Sequence, residues 1–374
     1  MHRRWMLVHK IVLQAVLPVL RRMPYRLAVR ALGVMGRLDL MVVPGQAKYY
    51  ESAVADGARR LGCAWDARAV SRALARQTYR WRARDLLLEG QADDRVAPLF
   101  LVSGRKRLDE ALALGKGVIL LANHFGAHVL MTHWLFRAGY VLRWFGERPR
   151  NVSTFLARHF ETDGRLGQAP LFVSRTTTPA EAASAIAHAA RLLNAGLIVK
   201  MACDVRWPDA KASRMTFLGR EEPFSTTWVN LAALTGAAVV PAFCRMDDDG
   251  TFHLDFLDPV HVPHDARRAE DAAPWVCRGL DLLEARIRLH PEQSNDYFFW
   301  EPVDSPDKRP PAPRGRRDAP RSGARSPRRE VVEHDPRGDR DVERLGPRAH
   351  RDRDPPVAAR DPFRPQPSPL APEE

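Results

Sequence analysis

Cysteine is scarce in this 374-residue chain, and none of the four (Cys63, Cys203, Cys244, Cys277) falls in a C-x-x-C pair. That spacing excludes a disulfide framework and a structural zinc site. Cys203 and Cys244, set in apolar runs, read as small core residues of a reducing compartment. No apolar run reaches the ~20 residues of a membrane-spanning helix, and no small-residue cleavage site follows the N-terminal apolar stretch, which argues against a cleaved signal peptide. Zinc-finger spacings and aromatic-studded basic repeats are also missing, so nucleic acid is not expected as a partner.

Aromatic residues give out almost entirely after residue 300. Residues 301–374 hold one, Phe363, beside 16 of the 30 prolines, 17 Lys+Arg and 15 Asp+Glu. Such a segment buries too little apolar surface to offset its ordering entropy, and it reads as a disordered Pro/Arg-rich tail. The remaining 300 residues are enough for one large domain. They keep 41 Lys+Arg against 30 Asp+Glu, so the basic balance of the chain is not a property of the tail. A basic body fits an anionic membrane surface or an acidic carrier protein.

What is present divides the body in two. Residues 1–22 interleave Arg3, Arg4, Lys10 and Trp5 with an apolar series to Leu20, closed by Arg21 and Arg22. That pattern suits a basic amphipathic segment in the headgroup layer of a membrane, and equally a first helix packed on the domain. Residues 23–115 form a helical preface, with apolar residues at threes and fours over 24–36, 50–62, 66–90 and 103–114. From 116 to 300 short β-branched runs alternate with helices. Strands are expected at 117–122, 140–145, 170–173, 196–202, 238–244 and 251–257, and helices at about 126–137, 151–162, 179–194, 224–235 and 271–289. This alternation predicts an α/β fold with a mostly parallel central sheet wrapped by helices.

The chemistry concentrates in four pieces. GVILLANHFG (117–126) is a buried-strand run that ends in Asn123-His124 and turns at Gly126 into a helix, a usual place for a general base in α/β enzymes. Glu147-Arg148-Pro149-Arg150 follows the next strand, with Arg158 on the helix beyond. Asp204-Val205-Arg206 ends GLIVKMAC, and Thr216-Phe217-Leu218-Gly219-Arg220 leads through Pro223 to a helix and TGAAVVPAF. Singly, each is weak: His124 alone reads more often as a structural histidine, Asp204 as a loop cap, Gly219 as a turn residue, and Arg148 and Arg220 as solvated charges. A metal reading of His124, His128 and His133, and with it a metal-dependent hydrolase, lacks a glutamate after His124 and a third placed ligand; no metal and no cofactor is expected.

Taken in order, with HPEQ and FFW closing at 290–300, the pieces resemble the lysophospholipid acyltransferase superfamily, and within it most resemble the bacterial lipid A biosynthesis (late) acyltransferases. The resemblance covers roughly 110–300. It implies transfer of a fatty acyl chain from an acyl-carrier thioester, on acyl-carrier protein or coenzyme A, to a hydroxyl of a membrane glycolipid or phospholipid, at the cytoplasmic face of the inner membrane. It implies His124 as the general base. Gly126 and the helix-start amides, or Arg220 beside Gly219, would face the oxyanion, and Arg148 and Arg158 would hold phosphates.

One departure weighs on this reading. The family motif has Asp or Glu five positions after the histidine, and this chain has Val129. Three readings stay open: another acid (Asp204, Glu147 or Glu161) takes its place in space, His128 takes over part of the role, or the chain is a catalytically inactive lipid-binding or scaffold relative.

Overall fold

The computed structural model describes residues 15–83, 85–149, 151–161, 171–173, 177–207 and 212–301, all of them in one compact unit. Residues 1–14 and the tail from 302 lie outside the described residues, and with them most of the expected interfacial segment and the expected disorder.

After a helical stretch over 15–20, three helices follow: α1 (Tyr25–Val42), α2 (Gln46–Leu61) and α3 (Ala67–Ala83). The long helix expected over 66–90 ends at Ala83, and a single 3-10 turn, Leu86–Leu88, replaces its last part. Leu17 and Leu20, from the end of the N-terminal segment, are buried with Leu32 of α1 and Tyr79 of α3. At least this part of the segment is packed on the domain.

The sheet is built from β1 (Phe100–Ser103), β2 (Val118–Ala122), β3 (Leu142–Trp144), β4 (Ile198–Ala202), β7 (Ala238–Met246) and β8 (Phe252–Phe256). Its order is β1-β8-β7-β2-β4-β3, and every pairing is parallel except β7 with β8. The helices α4 (Arg105–Ala113), α5 (His128–Arg137), α6 (Thr154–Glu161), α7 (Pro179–Asn194), α8 (Thr227–Thr235) and α9 (Ala269–Leu289) alternate with the strands. The strand expected at 170–173 is reduced to one bridge, Phe172 with Gly146.

The remaining strands, β5 (Ser213–Phe217) and β6 (Arg220–Phe224), pair antiparallel in a separate hairpin. Their two-residue turn, Leu218-Gly219, has φ of 51° and 68°, the left-handed pair that matches the twist of a tight hairpin. A leucine in this position hides the turn from sequence reading, since Asn or Gly is the usual signal.

The core lies on both faces of the sheet. All five residues of β2 are buried, which is why the strand reads as an unbroken apolar run instead of an alternating one. Ile119, Leu121, Val199, Met201 and Val239 pack with Leu192, Trp228 and Leu283 on one face. Val118, Leu120, Ala122, Ile198 and Val240 pack with Leu108, Val129 and Trp134 on the other. The parallel strands β2 and β4 thereby bring their carboxyl ends together at the sheet centre, the position where open α/β sheets place ligands.

Candidate active site

The turn after β2 is fixed by its own residues before any substrate is considered. Asn123 donates from Nδ2 to the Ala242 carbonyl on neighbouring β7 (3.1 Å), and its Oδ1 accepts the Phe125 N–H (3.1 Å). Gly126 sits at φ 53°, and a Cβ there would fall 2.4 Å from the Cys244 carbonyl oxygen, so glycine alone lets the chain pass this close to β7. The chain then enters α5.

His124 stands at the crest of this turn with its side chain 52 % exposed, over the completely buried carboxylate of Asp204. Asp204 follows β4 as His124 follows β2, and the register pairs Ala122 with Ala202. Equal extension of the two strands therefore brings the side chains together. Asp204 Oδ2 accepts from the His124 N–H (3.0 Å), from His124 Nδ1 (3.0 Å) and from the Tyr297 hydroxyl (2.5 Å). The carboxylate requires the proton on Nδ1, which leaves Nε2 as the ring's acceptor. Asp204 Oδ1 has no hydrogen-bond donor among the described residues.

The charges follow from this packing. Asp204 raises the His124 pKa through its charge, against the opposing effect of burial. Burial drives the Asp204 carboxyl upward, but the His124 charge and the hydrogen bonds of His124 and Tyr297 outweigh it and hold the group below its ordinary value. Burial, then the Asp204 charge, push the Tyr297 hydroxyl far up, so it remains a donor. The assembly is an imidazole oriented by a buried anion, which a tyrosine holds in place.

The segment 290–300 completes the site. Asn295, at φ 49°, donates from Nδ2 to the His124 and Gly126 carbonyls (2.5 and 3.0 Å). Gln293 takes the Gly126 N–H on its backbone carbonyl (2.8 Å) and donates from Nε2 to the Met246 carbonyl (2.8 Å). The closing motif is thus a strap that ties the His124 turn to the sheet. Sequence reading noted the motif but missed Asn295 and Tyr297 as members of the site; nothing in their local pattern relates them to a turn about 170 residues away.

Other expected site residues fall differently. The Gly126 N–H goes to Gln293 and the Ala127 N–H to the Cys244 carbonyl (2.7 Å), while those of His124 and Phe125 are held by Asp204 and Asn123. These four amides are committed inside the protein. Arg220 donates to the Trp300 carbonyl (2.7 Å) and Asp56 (3.0 Å), binding the β5–β6 hairpin to α2 and the closing strap. A Cβ on Gly219 would meet the Arg60 side chain at 2.9 Å, so this glycine serves the turn.

Arg148 lies over the Phe172 ring (5.7 Å) and lines a 540 Å³ cavity with Glu147, Asn151, Val152 and Ala157, among others. Rings join this cavity to the edge strand of the sheet: Phe172 meets Phe160 (6.3 Å), and Phe160 meets Trp144 on β3 (5.8 Å). Arg158 is exposed on α6.

Val129 is 2 % exposed and belongs to the apolar cluster beneath α5. His128 is buried with its ring 5.1 Å from that of His124, an edge-on contact. His133 is fully buried against Phe155 (4.6 Å), and burial, reinforced by Arg137, lowers its pKa to about 3, so it stays neutral.

The family model for bacterial lipid A biosynthesis acyltransferases matches residues 3–300. The chain belongs to this family. No curated protein matches it. The family is one of acyltransferases acting on lipid A-type substrates, with an acyl donor and a lipid acceptor.

Proposed function

We propose that the protein transfers a fatty acyl chain from a carrier thioester to a hydroxyl of a lipid A-type glycolipid, with His124 as the general base. The observation that carries this reading is the 3.0 Å contact between His124 Nδ1 and Asp204. With Nδ1 donating, Nε2 takes the proton of the acceptor hydroxyl. The alkoxide attacks the thioester carbonyl, and collapse of the tetrahedral intermediate expels the carrier thiolate, which regains the proton from the imidazolium. Asp204 stabilises the imidazolium during this exchange and fixes the ring. Arg148 at the cavity and Arg158, exposed on α6, hold phosphates of the acceptor or carrier.

The protein works in this reading at the cytoplasmic face of the inner membrane. Among the described residues no helix is long and apolar enough to cross a membrane. Helix α1 nevertheless exposes Leu27, Val34, Leu38, Met41 and Val42 beside Arg26, Arg30 and Arg37, which supports peripheral attachment to an anionic surface.

Val129 favours a second reading, an inactive relative that keeps the lipid site. The two separate on incubating the purified full chain with labelled acyl-carrier protein or acyl-coenzyme A and a lipid A precursor. Transfer that disappears in His124→Ala supports the enzyme. No transfer from either donor, with precursor binding retained, favours the inactive relative.

A further inference from the structure

Lys200 stands in the middle of β4, 3 % exposed, on a strand whose other members are apolar (Ile198, Val199, Met201, Ala202). The register sets it beside Leu120 of β2. The pleat therefore turns it to the face shared by Ala122 and Ala202, the face that carries α5. Its Nζ lies 3.4 Å from the centre of the Trp144 indole on β3. Four residues later the same strand delivers Asp204 to His124.

A methionine or leucine would fill such a position without the desolvation cost of an ammonium, which the indole face offsets only in part. Among the described residues no carboxylate is within ion-pair reach of Nζ. A costly buried cation on the strand that supplies a site's anion points to a role in that site. The titratable groups whose charges act on it or feel it are Asp204 at the end of its own strand, Cys244 on β7 and His124 from the turn after β2.

We propose that Lys200 is a positioning residue of the site: its buried ammonium, held on Trp144, counters Asp204 at the His124 ring and keeps the imidazole available as a base near neutrality. This rests on the proposal that His124 is the base. Asp204 alone stabilises the imidazolium, and an imidazole kept protonated takes no proton from a hydroxyl. A second buried cation whose charge reaches the ring limits that effect without breaking the hydrogen bond. Two features agree with it: the Lys200 charge opposes the upward effect of Asp204 on His124, and burial brings the Lys200 amine down to about 7. Burial thus brings the Lys200 amine toward the ordinary imidazole range, and its charge and that of His124 act on each other.

The test is histidine-selective NMR titration of the full chain, with His124 assigned by its loss in His124→Gln. In Lys200→Met the His124 midpoint moves to higher pH, and in Lys200→Arg, which keeps the charge, it stays close to wild type. A Lys200→Met midpoint equal to wild type overturns the proposal, as does a Lys200→Arg midpoint that moves as far as that of Lys200→Met. Should Lys200→Met fail to fold, reciprocity supplies the decision: the Lys200 amine, followed by lysine-selective labelling, titrates at higher pH in His124→Gln than in wild type, and an unchanged value overturns the proposal. These readouts need no turnover. A shifted midpoint in a protein that transfers no acyl chain keeps the electrostatic coupling and removes the reading of His124 as a working base.

Discussion

Two buried polar groups flank β2 and meet opposite fates. Asp204, past the end of β4, is fully buried and ionised because Oδ2 collects a backbone N–H, an imidazole N–H and a hydroxyl. His133, on the inner face of α5, is just as buried, but neither ring nitrogen finds a hydrogen-bond partner among the described residues, and it stays uncharged. Burial alone silences a titratable group; burial with donors makes it an oriented charge. Val129 shares α5 with His133 and lies in the apolar cluster. The carboxylate that His124 does meet comes from the end of the neighbouring strand β4, on the polar side of the comparison.

The comparison can be broken first at the histidine. His124→Ala lowers acyl transfer by about 10³- to 10⁴-fold with the circular dichroism spectrum unchanged, since it removes the proton acceptor. Asp204→Asn keeps the shape and lowers kcat/KM by about 10²- to 10⁴-fold, because the amide cannot fix the tautomer or stabilise the imidazolium. Tyr297→Phe removes one donor from the buried carboxylate; a loss of about tenfold in rate and ~1–2 kcal/mol in denaturant stability is expected. Restoring the motif on the helix sharpens the comparison from the other side. Val129→Asp puts an anion into the apolar cluster, so it raises activity not at all and costs ~2–4 kcal/mol of stability by chemical denaturation. A Val129→Asp protein more active than wild type would show that α5 still faces the imidazole productively.

The pH dependence has a definite sign. His124 is raised in the folded protein, so its pairing with Asp204 contributes stability that is complete below the ordinary imidazole pKa and is lost as pH rises through the raised value. Activity runs the opposite way, because the base must be neutral, and it climbs through that same raised value.

Much of this was legible in the chain. The alternation from 116 to 300 led to the α/β sheet because β2, β4 and β7 are largely apolar runs, β4 broken only by Lys200, separated by helices that end at Gly or at cap residues. β1, β5 and β6 were not seen. β1 is short and lies on a sheet edge, and the β5–β6 turn carries a leucine where the left-handed conformation favours glycine or asparagine. His124 and Asp204 were both legible as strand-end residues, but which acid meets the ring was not: that depends on the Ala122–Ala202 register, and register is a property of paired strands, not of either sequence segment. Tyr297, Asn295 and Lys200 belong to the same class. Lys200 reads as an interruption in GLIVKMAC until β3 and β4 are placed side by side.

The central claim, that Asp204 is the carboxylate that makes His124 a base, is tested most directly by the pH profile of kcat/KM in wild type and Asp204→Asn. The account predicts that the acid limb of the wild type lies above the ordinary imidazole value, and that in Asp204→Asn the limb moves to lower pH while the plateau falls. Superimposable profiles in the two proteins would contradict it.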